Sequence, residues 1–160
     1  MGASNSVSGS DSITERSSGV LIYRFRNGRR EYLFLKRSQG FLDNTKGHIE
    51  AGENEIQAAI RETMEECGLS PTLHEGFKWN MEYKYRRNGE EVRKRVSMFL
   101  GEVPENSSVR ISSEHTGSVW LTYEEALKSL SFENQKELVI QAESFLSGMD
   151  FQGKEAGRKE

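Results

Sequence analysis

An α+β chain, built as an α/β/α sandwich around a mixed β-sheet, is predicted by three features of the sequence. Two Asn-Gly pairs, Asn27-Gly28 and Asn88-Gly89, each lie between apolar runs that read as strands. One helix-period stripe, over residues 55–67, ends at a glycine. Helical segments close the chain, so the elements follow the order ββ-loop-α-ββ-β-α, which packs helices against a sheet.

Each element has its own local reason. Residues 18–25 and 31–36 read as strands. Asn27-Gly28 joins them as a hairpin, because both central residues tolerate a positive φ. Residues 40–52 have loop character. Over residues 55–67, Ile56, Ala59, Ile60, Thr63, Met64 and Cys67 recur at i, i+3, i+4 and i+7, the stripe expected to face the core. Gly68 stands where a helix-ending glycine belongs. Phe77, Trp79, Met81, Tyr83 and Tyr85 then alternate along one face of a strand, Asn88-Gly89 turns the chain, and 95–103 returns. A short strand at 118–121 and helices at 123–130 and 133–146 complete the reading.

Composition narrows the possible functions. The 160 residues carry 22 Lys+Arg against 25 Asp+Glu, a formal charge of −3, which excludes a generic polyelectrolyte grip on nucleic acid. No apolar run approaches the roughly 18 residues of a membrane span, so no membrane partner is expected. The single Cys cannot form an internal disulfide, which points to a reducing compartment and a cytoplasmic location. The polar, Ser- and Gly-rich segment 1–17 reads as disordered and 148–160 as a flexible tail, leaving 18–147 as one domain. Met1-Gly2-Ala3-Ser4-Asn5-Ser6 fits a short myristoylation pattern, but no polybasic partner accompanies it. A monomer is expected rather than an oligomer.

The chemistry is concentrated on the helix. Glu62, Glu65 and Glu66 lie at i, i+3 and i+4, one narrow stripe read as lying away from the apolar one. Like charges at this spacing destabilise a helix by about 0.2–0.5 kcal/mol per pair. Arg61 reaches Glu65 at i+4 and offsets only part of this. Clustered carboxylates invite a hard divalent cation, which takes oxygen ligands and bridges to substrate phosphates.

The flanking residues make the pattern specific. Gly47, Glu53, Arg61, Glu62, Glu65, Glu66, Gly68 and Leu69 match Gly-x5-Glu-x7-Arg-Glu-U-x-Glu-Glu-x-Gly-U, where U is a bulky aliphatic residue. This stretch resembles the Nudix box, with Thr63 the one departure. The resemblance implies the Nudix fold over about 18–146 and a loop-helix-loop that binds Mg²⁺ or Mn²⁺. Glu62, Glu65 and Glu66 match the family's metal-binding, catalytic carboxylates. Gly47 matches the position whose backbone carbonyl is also a ligand. Glu53 and Arg61 match the structural pair that pins the loop to the helix, and Glu62 is the first choice as general base.

Further details resemble the branch of asymmetrical diadenosine tetraphosphate hydrolases. They are Lys46-Gly47-His48, Arg61-Glu62-Thr63, and Tyr83 and Tyr85 following Glu75-Gly76-Phe77. Ser112-Ser113-Glu114-His115 resembles that branch's stretch before its Trp-bearing segment, here ending at Trp120. The resemblance implies Glu114 as a further metal ligand, Tyr83 and then Tyr85 as base-stacking residues, and Lys46 and Lys94 beside the polyphosphate. Arg93 and Arg95 should point to the opposite face from Lys94. One departure concerns the base pocket: where many members carry a Trp and two prolines before Lys-Gly-His, this chain has Phe41-Leu42-Asp43-Asn44-Thr45. Phe41 or Phe132 then supplies the second face of a base sandwich.

The implied function is metal-dependent hydrolysis of a phosphoanhydride in a nucleotide substrate, diadenosine tetraphosphate to ATP and AMP. Alternatives are pyrophosphohydrolysis or decapping of an RNA 5′ end, and nucleoside triphosphate pyrophosphatase activity. A non-catalytic nucleotide-binding module is disfavoured because every box carboxylate is kept.

Overall fold

The computed structural model describes residues 14–159. Eight strands and three helices follow one another in that span: β1 (Glu15–Arg26), β2 (Arg29–Lys36), β3 (Leu42–Asp43), β4 (Thr45–His48), α1 (Glu55–Cys67), β5 (Thr72–Leu73), β6 (Trp79–Arg87), β7 (Glu90–Glu102), β8 (Gly117–Leu121), α2 (Tyr123–Ser129) and α3 (Glu133–Lys159). All strands belong to one mixed sheet with the path β3-β2-β1-β7-β5. Beside it, β4 pairs with β1, β6 with β7 and β8 with β2. Among the described residues, only β1 and β7 run parallel, from Glu15↔Lys94 to Tyr23↔Glu102. Both Asn-Gly pairs form the expected turns, with all four residues at positive φ.

The sheet is covered on both faces, which gives the sandwich. In β1 the side chains alternate between two cores, as a period of two requires. Leu21 and Tyr23 join Tyr32, Phe34, Met98 and Leu100 beneath α2 and α3, where Leu138, Val139 and Ala142 close the layer. Val20 and Ile22 join Leu33, Leu35 and Phe99 on the other face, against Ala59 and Cys67 of α1. Burial on both faces explains why β1 is a continuous apolar run rather than an alternating one.

Four expectations need correction. Strand β1 begins at Glu15, inside the segment read as disordered, because it is paired along both edges: Ser17 and Ser18 face β4 on one side and β7 on the other. Residues 1–13, with the Met1–Ser6 pattern, lie outside the described residues. The segment 40–52 is not all loop, since β3 and β4 form there by pairing with β2 and β1 rather than by any pattern of their own. Helix α3 runs on past 146 into the segment read as a tail. No proline interrupts 147–159, and glycine alone weakens a helix by only about 1 kcal/mol per residue.

The fourth correction bears on the site. Helix α1 buries Ala58, Ala59, Thr63, Glu66 and Cys67, while Ile56, Ile60 and Met64 stay exposed. The helix therefore presents its small residues to the sheet and sits close to it, with Thr63 Oγ1 3.1 Å from Thr45 Oγ1. This rotation carries Glu66 inward instead of leaving it with the solvated carboxylates. It also explains Thr63 at a position where the Nudix pattern has an aliphatic residue.

Close approach recurs at Gly19, opposite Lys46 in the β1–β4 pairing. A Cβ there would run into the Thr45 carbonyl oxygen and the Lys46 backbone. Gly19→Ala is expected to cost about 3 kcal/mol of stability, since backbone rather than a flexible side chain must move. Urea denaturation checks this, and an unchanged midpoint would contradict it.

Candidate active site

The loop before α1 is tied down at several points. Asn54 caps the helix, its side chain accepting from Gln57 N–H while the Gln57 side chain accepts from Asn54 N–H. Gly68, at φ 72°, ends it and donates to the Met64 carbonyl. Between these ends Arg61 acts as a hub. It donates to Glu53 at 2.6 and 3.0 Å and to the His48 carbonyl at 3.0 Å. Glu53 also accepts from Glu50 N–H. The Arg61 hydrogen bonds hold the Glu53 carboxyl below its ordinary pKa. Those to Glu53, joined by Glu62, push the Arg61 guanidinium up.

The carboxylates are placed unequally. Glu66 is buried, 8% exposed, and accepts from Lys46 N–H at 3.2 Å. Burial pushes its pKa up to about 8, with the Glu62 charge adding to the rise and the Lys46 hydrogen bond opposing it. Glu62 accepts from Arg61 at 2.9 Å and lies hard against Gly47, where a Cβ would overlap its carboxyl group. Glu65 is mostly exposed and is reached by Arg61 at 3.3 Å. Glu114 is also exposed. Its segment is fastened to the end of α1 by Arg110 N–H on the Cys67 carbonyl and Ser112 N–H on the Glu66 carbonyl.

No three His, Cys, Asp or Glu side chains among the described residues are gathered into a metal cage. Arg61 accounts for this in part, because it engages both Glu62 and Glu65. The donor set still fits a hard cation. All candidate ligands are oxygen, Glu66 is a buried carboxyl group held by a backbone N–H, and Gly47 leaves room for the Glu62 carboxyl group.

A cavity of about 560 Å³ meets this region at Lys46, whose backbone N–H holds Glu66; the carboxylate in its own wall is Asp43. Its walls include Lys46, Tyr83, Tyr85, Lys94 and Phe132, all of the residues expected to bind substrate, together with Phe41. Tyr83 and Lys94 face each other across the β6–β7 pairing. Arg93 and Arg95 turn to the other face, where both approach Glu82. Burial lowers the Lys94 pKa, and the neighbouring Lys46 charge lowers it further. Phe41 and Phe132 meet with ring centroids 5.4 Å apart. The Tyr85 hydroxyl is committed to Glu15 at 2.7 Å, and Arg87 pairs with the same carboxylate.

Sequence reasoning missed Asp43, which organises one side of this cavity. Lys46 Nζ lies 2.8 Å from Asp43 Oδ1, and Arg37 and His115 approach Oδ2 at 3.3 and 3.4 Å. His115 is thus buried against Asp43 and the β3 segment. Burial tends to raise the Asp43 pKa, but the Lys46 charge and the hydrogen bonds from Lys46 and His115 outweigh it and hold the value below normal. The ionised form is therefore favoured in the folded chain. Its stabilisation is present above the ordinary carboxylate pKa and is lost as pH falls through the lowered one. The stability advantage of the wild type over Asp43→Asn should shrink as pH falls below about 4. Denaturation titrations at a series of pH values read this directly, and a constant difference would refute the ion-pair assignment.

A mixed sheet between helices, with a glutamate-bearing helix fastened to its loop by one arginine, defines the class. The chain belongs to the NUDIX family: the NUDIX domain pattern spans residues 15–142. It is 34% identical over 143 residues to the asymmetrical bis(5′-nucleosyl)-tetraphosphatase of Mus musculus, covering 82% of this chain and 95% of that one. The Sus scrofa enzyme of the same name is 35% identical over 146 residues, covering 84% and 97%. Among solved structures, a binary complex of the C. elegans Ap4A hydrolase matches with a TM-score of 0.75 at 31% identity, over 84% of this chain and 99% of that one. No helix among the described residues is long and apolar enough to cross a membrane.

Proposed function

We propose that the chain hydrolyses a phosphoanhydride bond of dinucleoside polyphosphates, cutting diadenosine tetraphosphate to ATP and AMP. The observation that carries this reading is the cavity in which aromatic and cationic side chains gather, joined to the carboxylate helix through Lys46. Tyr83 and Phe132 offer flat surfaces to a base, and base–aromatic stacking contributes about 1–3 kcal/mol. Lys46 and Lys94 bring positive charge to the same space, where a polyphosphate would lead away from the base. Lys46 also couples the two regions, because its backbone N–H holds Glu66 while its side chain lines the cavity.

Glu62, Glu65, Glu66 and Glu114, with the Gly47 carbonyl, are the residues that would hold Mg²⁺ or Mn²⁺. Such a cation, when bound, neutralises phosphate oxygens and favours attack of water on phosphorus. The chain's own part is positional. Arg61 fixes the loop and sets the direction of Glu62, which is the group proposed to take the proton of the attacking water. Lys46 and Lys94 balance the charge of the leaving phosphates.

A substrate panel read by product identity tests this. Diadenosine tetraphosphate should give ATP and AMP in equal amounts with Mg²⁺ or Mn²⁺. Faster turnover of deoxynucleoside triphosphates or of capped RNA 5′ ends would overturn the assignment in favour of those activities.

A further inference from the structure

Asn44 stands in the stretch where prolines are expected in the tetraphosphatase branch, and the fold gives it a place in the cavity wall. Asn44 is 3% exposed, and Gln135, in the first turn of α3, is 6% exposed. Both line the cavity with Tyr83 and Phe132.

Their amides are held in one orientation. Gln135 Nε2 donates to the Leu42 carbonyl at 3.0 Å and to Asn44 Oδ1 at 3.5 Å. Turning Gln135 over would set its oxygen against the Leu42 carbonyl. Turning Asn44 over would set its NH2 against that of Gln135. One acceptor, Gln135 Oε1, and one donor, Asn44 Nδ2, are left with no hydrogen-bond partner among the described residues. Buried polar atoms without partners are uncommon because each loses its hydration for nothing. Two of opposite kind, enclosed on neighbouring side chains that both line the cavity, match a ligand that brings both partners when the amides turn a short way toward it.

We propose that Asn44 and Gln135 read the edge of a nucleobase and select adenine. Gln135 Oε1 accepts from the exocyclic amino group, and Asn44 Nδ2 donates to the adjacent ring nitrogen N1. Side-chain amides also pair with adenine elsewhere by accepting from the exocyclic amino group and donating to a ring nitrogen, there N7 rather than N1. Stacking on Tyr83 alone is tolerant of base identity, since every base has a π face. Hypoxanthine presents a carbonyl oxygen in place of the amino group and an N–H in place of N1. Both then meet groups of like kind. The inference rests on the nucleotide substrate proposed above and adds to it the residues that choose the base.

The test compares diadenosine with diinosine tetraphosphate, which differ only at that edge, in the full-length protein and in Asn44→Leu and Gln135→Met. The wild type should favour adenine by about ten-fold or more in kcat/KM, and each variant should bring the ratio to within about two-fold. Because the ratio is internal, a general loss of stability or activity does not move it. Equal rates in the wild type, or an unchanged ratio in both variants, would overturn the proposal. Calorimetric titration with AMP and IMP reads the same edge without turnover. Preference for AMP with no hydrolysis of either dinucleotide would sustain base selection and sink the substrate reading. Equal affinity alongside normal hydrolysis would do the reverse.

Discussion

Glu66→Gln is expected to lower kcat/KM for the dinucleotide by about 10²–10³-fold, while the melting temperature stays within a few degrees of the wild type. The two halves of this expectation have different causes. Activity falls because the amide cannot supply a full negative charge to a cation. Stability holds because glutamine keeps an oxygen to accept from Lys46 N–H and removes a carboxyl group that burial already disfavours in its charged form. Steady-state kinetics and scanning calorimetry on the same preparation decide it. Unchanged turnover would remove Glu66 from the site, and collapse of the fold would make its role structural.

Gly47→Ala should reach a similar result by another route, with about 10²-fold lower activity and little change in stability. The added methyl group would occupy space now filled by the Glu62 carboxyl group. That group is the far end of a flexible side chain, so it can swing aside at small cost to the fold. The displacement that protects the fold moves Glu62 away from its place beside Gly47, where small misplacements are costly to rate. Full activity in Gly47→Ala would show that Glu62 does not need its present position.

Much of this was legible in residues, and the failures share one cause. The two hairpins were announced by Asn-Gly pairs because their conformation is local. The loop and helix were announced by a fixed spacing, and Arg61 does join Glu53, Glu62 and Glu65. What stayed hidden depends on partners far away in the chain. Strands β3 and β4 have no alternation to reveal them and exist because β1 and β2 supply their hydrogen bonds. The outward-facing Ile56, Ile60 and Met64 follow the helical period as well as any core residues do. Only the small face of α1, fitted against β1 and β4, shows why Ala58, Ala59 and Thr63 are buried instead. Asp43, Asn44 and Gln135 are ordinary polar residues in sequence, and their meaning comes from the fold that sets 42–46 beside 132–135.

The parallel pairing of β1 with β7 has a consequence for the order in which the molecule is made. It joins positions 79 residues apart, as the Thr14–Arg93 hydrogen bonds show. The β1–β2 and β6–β7 hairpins close short loops and can form early and independently. The central seam must wait for a long loop to close and bears its entropy before any packing rewards it. Strand β4 shares β1 with that seam and carries Lys46 and Gly47. Catalytic competence should therefore be among the last properties acquired during refolding, appearing after most secondary structure is in place.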